Sequence, residues 1–399
     1  MRYDVRELTG KDGPASWELG RLAFGGPRQQ PAGWADPDPA RLAWGAFDRS
    51  GRLVAKAVDR RQEHWFGGRL VPASGVAGVA VAADLRGRGV VRQVIAPLLA
   101  AARARGAAIS TLFDSTPVPY RRLGWEEVGA LTWRTLPTLA LARIRPPAHI
   151  GLRPAVLADV PAVLELYRTV ARVGSGLMDR SGPAFDTTPE TVLAAFDGIT
   201  LAHGSDGTLQ GYASWDRGTG RDAAARLSVY DLIGLTAEAT TALLGMMAGW
   251  ASVVHTLELR LPDPDPAFLL SSFVAASAGA QVRSRQPWML RLIDAPAAIA
   301  ARGWPPLLDG AVDVLLDDEV CPWNSGPHRL VLSAGSGRLE PGGSGSVRLS
   351  MRGFALLYAG VGGPALLRRA GLLDGGDANT DAFLQAAAAG PAPALLDYF

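Results

Sequence analysis

Two proline pairs constrain this chain more than any other feature. Pro146-Pro147 follows Arg143-Ile144-Arg145, and Pro305-Pro306 closes a stretch that opens at Ala295-Pro296 and passes Gly303-Trp304. Proline fixes φ and lacks the N–H that helix and sheet ladders need, so paired prolines end helices and central strands. Cutting there divides the 399 residues into pieces 1–145, 146–294 and 295–399, each of ordinary domain size. The first two pieces begin alike. Val5-Arg6-Glu7-Leu8-Thr9 is a strand-like run before a turn and a helical stretch, Trp17 to Phe24. Leu152-Arg153-Pro154-Ala155 precedes a helix with apolar spacing at Val160, Val163, Leu164 and Tyr167. One fold used twice is the expectation.

Within the first piece the pattern is mixed α/β. Gly45-Ala46-Phe47 and Leu53-Val54-Ala55 flank a hairpin turn. Val76 to Val81 and Ile109 to Phe113 read as buried strands, and Val90 to Arg105 as a helix with an apolar face at Val91, Val94, Ile95, Leu98 and Ala102. The third piece reads as α+β: strands at Val312 to Leu316, His328 to Ser333 and Ser346 to Met351, then helices near Ala365 to Ala370 and Thr380 to Ala388.

Composition narrows the function classes. Apolar residues make up 48% and charged residues 20%, the balance of a globular protein. The net charge is +2 and the only lysines are Lys11 and Lys56, so the basic footprint of a nucleic-acid binder is missing. A single cysteine, Cys321, excludes an internal disulfide and a multi-cysteine metal site, and the five histidines show no HxxxH spacing, so no metal is expected. The N-terminus carries charge where a signal peptide needs an apolar run. Ala242 to Val254 is shorter than the ~18–20 residues that span a bilayer. A soluble, cytoplasmic protein without a membrane partner is expected.

The chemistry concentrates at Val79-Ala80-Val81-Ala82-Ala83-Asp84-Leu85-Arg86-Gly87-Arg88-Gly89-Val90-Val91-Arg92. A strand runs into a glycine turn that opens a helix. The first turn of a helix has unpaired N–H groups and a partial positive charge, a seat for phosphate. Gly87 and Gly89 let the backbone approach, and Arg86 and Arg88 add charge-assisted bonds to a diphosphate. There is no Gly-Lys-Ser/Thr, and Arg92 stands where GxGxxG needs its third glycine.

The segment resembles the acyl-CoA loop of the GNAT acetyltransferases, Arg/Gln-x-x-Gly-x-Gly/Ala. Arg86 and Gly89 fit, and Val91 replaces the last small residue. The run Tyr120-Arg121-Arg122-Leu123-Gly124-Trp125, the three-piece layout and the aromatic end Asp397-Tyr398-Phe399 narrow the resemblance to the Eis (enhanced intracellular survival) branch. That resemblance implies an α/β (α+β) architecture of two tandem GNAT-like modules followed by a sterol-carrier-protein-like domain. It implies an N-acetyltransferase that moves acetyl from acetyl-CoA to a small-molecule or peptide amine in a ternary complex. Aminoglycoside, polyamine or lysine-like acceptors and a homohexamer come with it.

By the same resemblance Tyr120 is the general acid and the carboxylate of Phe399 the general base. Val79, Ala80 and Val81 pair with pantetheine, Gly87 to Arg92 hold the diphosphate, and Ser115 and Thr116 contact CoA further along. The roles suit the chemistry, since acyl transfer to an amine removes a proton at one end and supplies one at the other. A chain end can serve only if the last piece folds back onto the first. The chain departs from the family at Ser115-Thr116-Pro117-Val118-Pro119-Tyr120, where Ser-Glu-Gly-Gly-x-Tyr is common, and the prolines imply a stiffened loop. Gly78 stands where relatives place a bulky aromatic, which leaves room for a bulkier acyl-CoA in a biosynthetic pathway. Phe24, Trp34, Asp36 and Trp44 are candidate acceptor-pocket residues. In the central piece Glu238 stands where an arginine meets phosphate, so that module is expected not to bind CoA. A tail with Asp374, Asp377, Asp381 and Asp397 and no Lys or Arg after Arg369 suggests attraction for a cationic amine. A non-catalytic protein holding an apolar ligand in its C-terminal domain is the remaining alternative.

Overall fold

The computed structural model describes residues 3–34, 38–221, 224–262, 265–267, 269–270 and 281–399. The first piece runs β1 (Asp4–Glu7), α1 (Gly13–Phe24), β2 (Arg41–Phe47), β3 (Leu53–Phe66), β4 (Arg69–Val81), α2 (Val90–Ala104), β5 (Ile109–Phe113), α3 (Pro117–Arg122) and β6 (Glu126–Pro137). The second runs β7 (Gly151–Pro154), α4 (Val160–Val173), β8 (Ser175–Met178), α5 (Pro189–Ala194), β9 (Gly198–His203), β10 (Leu209–Asp216), β11 (Arg226–Gly234), α6 (Ala237–Ala248), β12 (Thr256–Arg260) and β13 (Gln281–Leu292). The third has β14 (Gly310–Asp317), β15 (Gly326–Ser333), β16 (Ser336–Pro341), β17 (Val347–Ser350) and β18 (Leu373–Gly375). Its helices are Ala295–Ala301, Met351–Ala359, Pro364–Arg369 and Ala378–Ala387.

One mixed sheet passes through the first two pieces in the order β1-β2-β3-β4-β5-β13-β6-β12-β11-β10-β9-β7, with β8 beside β3. A second sheet, β16-β15-β14-β17-β18, forms the third piece. The architecture is mixed α/β with a repeated module, as the matching starts of the two pieces suggest. β13 belongs to the second piece by sequence, yet it pairs with β5 through Trp288–Leu292 and with β6 through Gln281–Leu290. Nothing in a single sequence marks that exchange, because strand partners are set by edges that come together only on folding.

The third piece packs on the first. Phe66, Val71, Ile109, Trp288 and Leu290 share one apolar core with Val314, Leu330, Phe354, Leu357 and Leu395. Among the described residues no helix is long and apolar enough to cross a membrane.

A buried ion pair crosses this junction. Arg291 of β13 and Asp318 have 0% and 3% side-chain exposure and meet at 2.7 Å. Arg291 also donates to the carbonyl of Leu123. Breaking one side of a buried pair leaves an uncompensated charge, so Arg291→Met is expected to cost roughly 3 kcal/mol or more, read as a lower urea midpoint.

Candidate active site

β4 and β5 pair in parallel only at Ala73–Gly75 with Ile109–Thr111. Beyond Gly75 the strands splay, so Val76 to Val81 keep β3 on one side and, among the described residues, have no strand on the other. Val79, Ala80 and Val81 therefore offer backbone N–H and C=O groups along an open cleft, the form of recognition that adds an extended ligand to a strand edge. The β3–β4 register slips between Lys56/Ala80 and Val58/Ala77, a bulge whose extra residue lies on β4. Gly78 sits in it with φ +56°, a left-handed conformation that costs other residues about 1 kcal/mol or more. That geometry by itself favours a glycine at this position.

The cleft leads to the start of α2. Gly87 and Gly89 have φ of 77° and 73°, and Gly89 caps the helix with no side-chain hydrogen bond. The leading N–H groups of α2 are therefore open to an anion. Arg86 and Arg88 are exposed beside them. Arg92 faces a different duty, bonding Glu319 of the third piece at 3.0 Å and its carbonyl at 3.1 Å. Ser115 and Thr116 lie exposed at the far end of β5. The matching helix of the central piece is closed. Thr236 caps α6 by accepting from Ala239 N–H at 3.1 Å, and Glu238 adds an acid to its first turn. The cleft beside β11 is filled by the chain itself. Leu261 and Ala267 pack into the same core as Leu232, leaving a cavity of about 60 Å³.

Tyr120 is carried on α3, where a stiffened loop was expected. Pro117 occupies the first helical turn, where a missing N–H leaves no bond broken and the fixed φ suits the helix. Tyr120 packs edge-on to Trp125 at 6.3 Å. Burial and the nearby Asp114 carboxylate push its hydroxyl up to about 12, so it stays a protonated donor. Burial also pushes the Asp114 carboxyl up. The far end of α3 is tied down through Glu126, which bonds Arg121 and Arg352, each at 2.7 Å. Burial opposes ionisation of that carboxyl, but the Glu127 N–H and the two arginines outweigh it and hold it below the ordinary value.

The last residues run back to the first piece. Pro393 bridges Ser175, and Ala394 N–H donates to the Ser175 carbonyl at 2.8 Å. Asp397 pairs with Arg180 at 2.9 Å, and Arg180 also holds Asp231 at 2.5 Å. Phe399 is 9% exposed. Its ring lies 5.1 Å from Phe113, the end of β5, and 6.4 Å from His64. Tyr398 stacks on Phe113 at 4.7 Å. His64 donates from Nδ1 to the Gly176 carbonyl at 2.6 Å and accepts at Nε2 from Gln62 at 3.1 Å. Full burial pushes it down to about 4, so it is neutral at physiological pH.

The acidic tail does not act as a group. Asp377 caps its helix through Thr380, Asp381 binds Arg368 at 2.7 Å, Asp397 binds Arg180, and Asp374 accepts from Gly375 N–H. Of the acceptor candidates, Phe24 is 62% exposed at the end of α1 and Trp44 packs into the core. Trp34 meets Trp17 edge-on at 5.2 Å. Asp36 lies outside the described residues. Sequence reasoning missed Lys56, His64, Phe113, Trp288 and Arg180 as site residues, and it read Asp397 as part of a free acidic tail rather than as a partner of Arg180. The signal for the first two is the alternation Lys56, Val58, Arg60, Gln62, His64 along β3, where polar residues recur on one face.

Residues 4–128 and 176–292 each match an acetyltransferase (GNAT) domain model, and residues 295–396 match a sterol carrier protein domain. Tandem GNAT modules with a sterol-carrier domain define the class. The chain is 29% identical over 317 residues to an uncharacterized N-acetyltransferase of Streptomyces coelicolor, covering 74% of this chain and 73% of that protein. The crystal structure of a GCN5-related N-acetyltransferase from Kribbella flavida superposes with a TM-score of 0.82 at 32% identity over 100% of this chain and 99% of that one. Eis1 from Mycobacterium abscessus gives a TM-score of 0.77 at 24% identity, with both chains fully covered. The chain belongs to the GCN5-related N-acetyltransferases, and its activity is N-acetyl transfer.

Lys56 yields a stability test. Burial pushes its ammonium down to about 8 from the ordinary 10.5. Between those values the unfolded chain holds a proton that the folded chain lacks, so stability rises with pH across that window. Below it the folded state bears the whole desolvation cost. Lys56→Met is therefore expected to be more stable than wild type at pH 7, by on the order of 2 kcal/mol. The gap should narrow from pH 8 to 10.5 in denaturant titrations.

Proposed function

We propose that this enzyme transfers the acetyl group of acetyl-CoA to a primary amine by direct attack with both substrates bound, in the manner of the Eis branch. Residues 1–145 bind acetyl-CoA, 146–294 shape and support the site, and 295–399 supply the base. Val79, Ala80 and Val81 would hold the pantetheine along the open strand edge. Gly87, Gly89, Val90 and Val91 would offer backbone N–H groups to the diphosphate, with Arg86 and Arg88 beside them. Bound there, acetyl-CoA supplies an activated thioester. A homohexamer belongs to the same proposal, and light scattering reads it.

The carboxylate of Phe399 takes the proton the amine loses as its nitrogen bonds the acetyl carbon. Tyr120 donates its O–H to the sulfur as the carbon–sulfur bond breaks. The hydroxyl kept protonated by burial suits that donor role. The observation that carries the reading is the burial of residue 399 against Phe113, at the end of the strand that leads to α3 and Tyr120.

The test follows thiol release from acetyl-CoA with polyamine, aminoglycoside and lysine-peptide acceptors. Intact mass first establishes that residue 399 carries the free carboxylate. Two residues appended after Phe399 should abolish turnover while calorimetry shows CoA still bound. Tyr120→Phe should lower kcat about a hundredfold or more, the usual worth of a positioned acid. Equal turnover by the extended form would move the base elsewhere.

A further inference from the structure

A cavity of about 560 Å³ opens between α1 and strands β1 to β3. Lys56 and Val58 of β3 lie in its floor, and Ser16 of α1 and Trp34 in its walls. Alternate residues of a strand share a face, so this is also the face of Gln62 and His64. Gln62 bonds Thr111 of β5 at 2.8 Å, and His64 lies against the Phe399 ring. Across the sheet Lys56 stands opposite Ala80 and Val58 opposite Ala77, both on the strand with the open edge. The floor of the cavity thus lies on the strand next to the open edge, and the same strand carries His64 against the Phe399 ring.

Its charge is unusual. Lys56 is 4% exposed. Its Nζ donates to the Ser16 carbonyl at 2.6 Å and the Ser16 hydroxyl at 3.1 Å, both neutral acceptors. The Trp34 ring centroid lies 5.0 Å away. Among the described residues no carboxylate forms an ion pair with it, although buried ammonium groups are ordinarily paired. The described wall carboxylates do not pair with it: Asp12 is bound by Arg6 and by the Thr9 N–H, Asp38 is bound by Arg41, and Glu7 is exposed. Among the described lining residues, Lys56 is the buried charge left without an ion-pair partner.

We propose that this cavity receives the acceptor and that Lys56 binds a carboxylate on it, which makes the acceptor an amino carboxylate with its amine directed toward the cleft. The proposal rests on the acetyl-transfer reading and narrows its substrate class. A third donor hydrogen on Nζ and the low polarity of the surroundings both favour a charge-assisted bond to such a group.

Matched primary amines give the test: 5-aminopentanoate, pentylamine and cadaverine, with acetyl-CoA and thiol release as the readout. Wild type should favour 5-aminopentanoate over both others in kcat/KM by about tenfold or more, the scale of one buried charge-assisted bond. Lys56→Met should erase that preference, while Lys56→Arg should keep part of it. Folding of the methionine variant is checked by its thermal transition. A wild-type preference for pentylamine or cadaverine, or an unchanged ratio in Lys56→Met, overturns the proposal. Calorimetry with 5-aminopentanoate and no acetyl-CoA separates the two readings. Binding to wild type but not to Lys56→Met, with no amine turned over, keeps the cavity assignment and removes the acetyl-transfer reading. Turnover of pentylamine with no Lys56-dependent binding does the reverse, and neither turnover nor binding overturns both.

Discussion

β6 has two edges, and different halves of the sheet depend on each. One edge carries β13 along Glu126 to Thr135, and the other carries β12 at Trp133 to Pro137. Without these partners β6 would expose rows of unpaired N–H and C=O groups, which a soluble fold must cover. Because β13 comes from the second piece and lies between β5 and β6, neither half of the sheet is complete alone. Arg291 on β13 then reaches Asp318 of the third piece. Backbone pairing and one buried charge pair therefore bind all three pieces around the end of β5, where Phe113 and Tyr120's helix lie.

The central piece holds the chain end through a second charge cluster. Arg180 lies between Asp231 and Asp397 and 3.8 Å beneath the Tyr167 ring. Tyr167 also donates to the Met178 carbonyl at 2.8 Å and to Asp397 at 3.2 Å. Buried charges persist only when paired and hydrogen-bonded, so Asp397 has little freedom, and Phe399 follows two residues later. A module whose helix start is capped by Thr236 and whose cleft is filled by Leu261 and Ala267 still fixes the position of Asp397 and so of the residues beside it.

Much of this was legible before folding. The Val90–Ala104 helix and the Ile109–Phe113 strand follow from apolar spacing, and the glycine turn before α2 from its residues. The legible features are local, because periodicity and turn chemistry depend on neighbours in sequence. The position of β13, the short helix under Tyr120 and the Arg180 cluster were not legible. Each depends on residues more than a hundred positions apart, or on prolines whose effect reverses between a loop and a first helical turn. Gly78 shows the same limit. From sequence it reads as space, and the fold adds a φ of +56° at a bulge that no single sequence shows.

Charge counting shows the limit most clearly. The tail from Asp374 to Asp397 is acidic by sequence, yet each carboxylate is consumed by a cap, a turn or an arginine. What a ligand meets is the charge left over after internal pairing, because paired groups at short range present only a weak residual field. On the face that joins α1 to the chain end, the group left over among the described residues is the Lys56 ammonium. One of only two lysines in 399 residues is thus buried at a cost to stability, with neutral partners, beside the open strand. Such a cost is commonly borne where a charge is used. The cavity beside α1 therefore has the polarity opposite to that suggested by the tail.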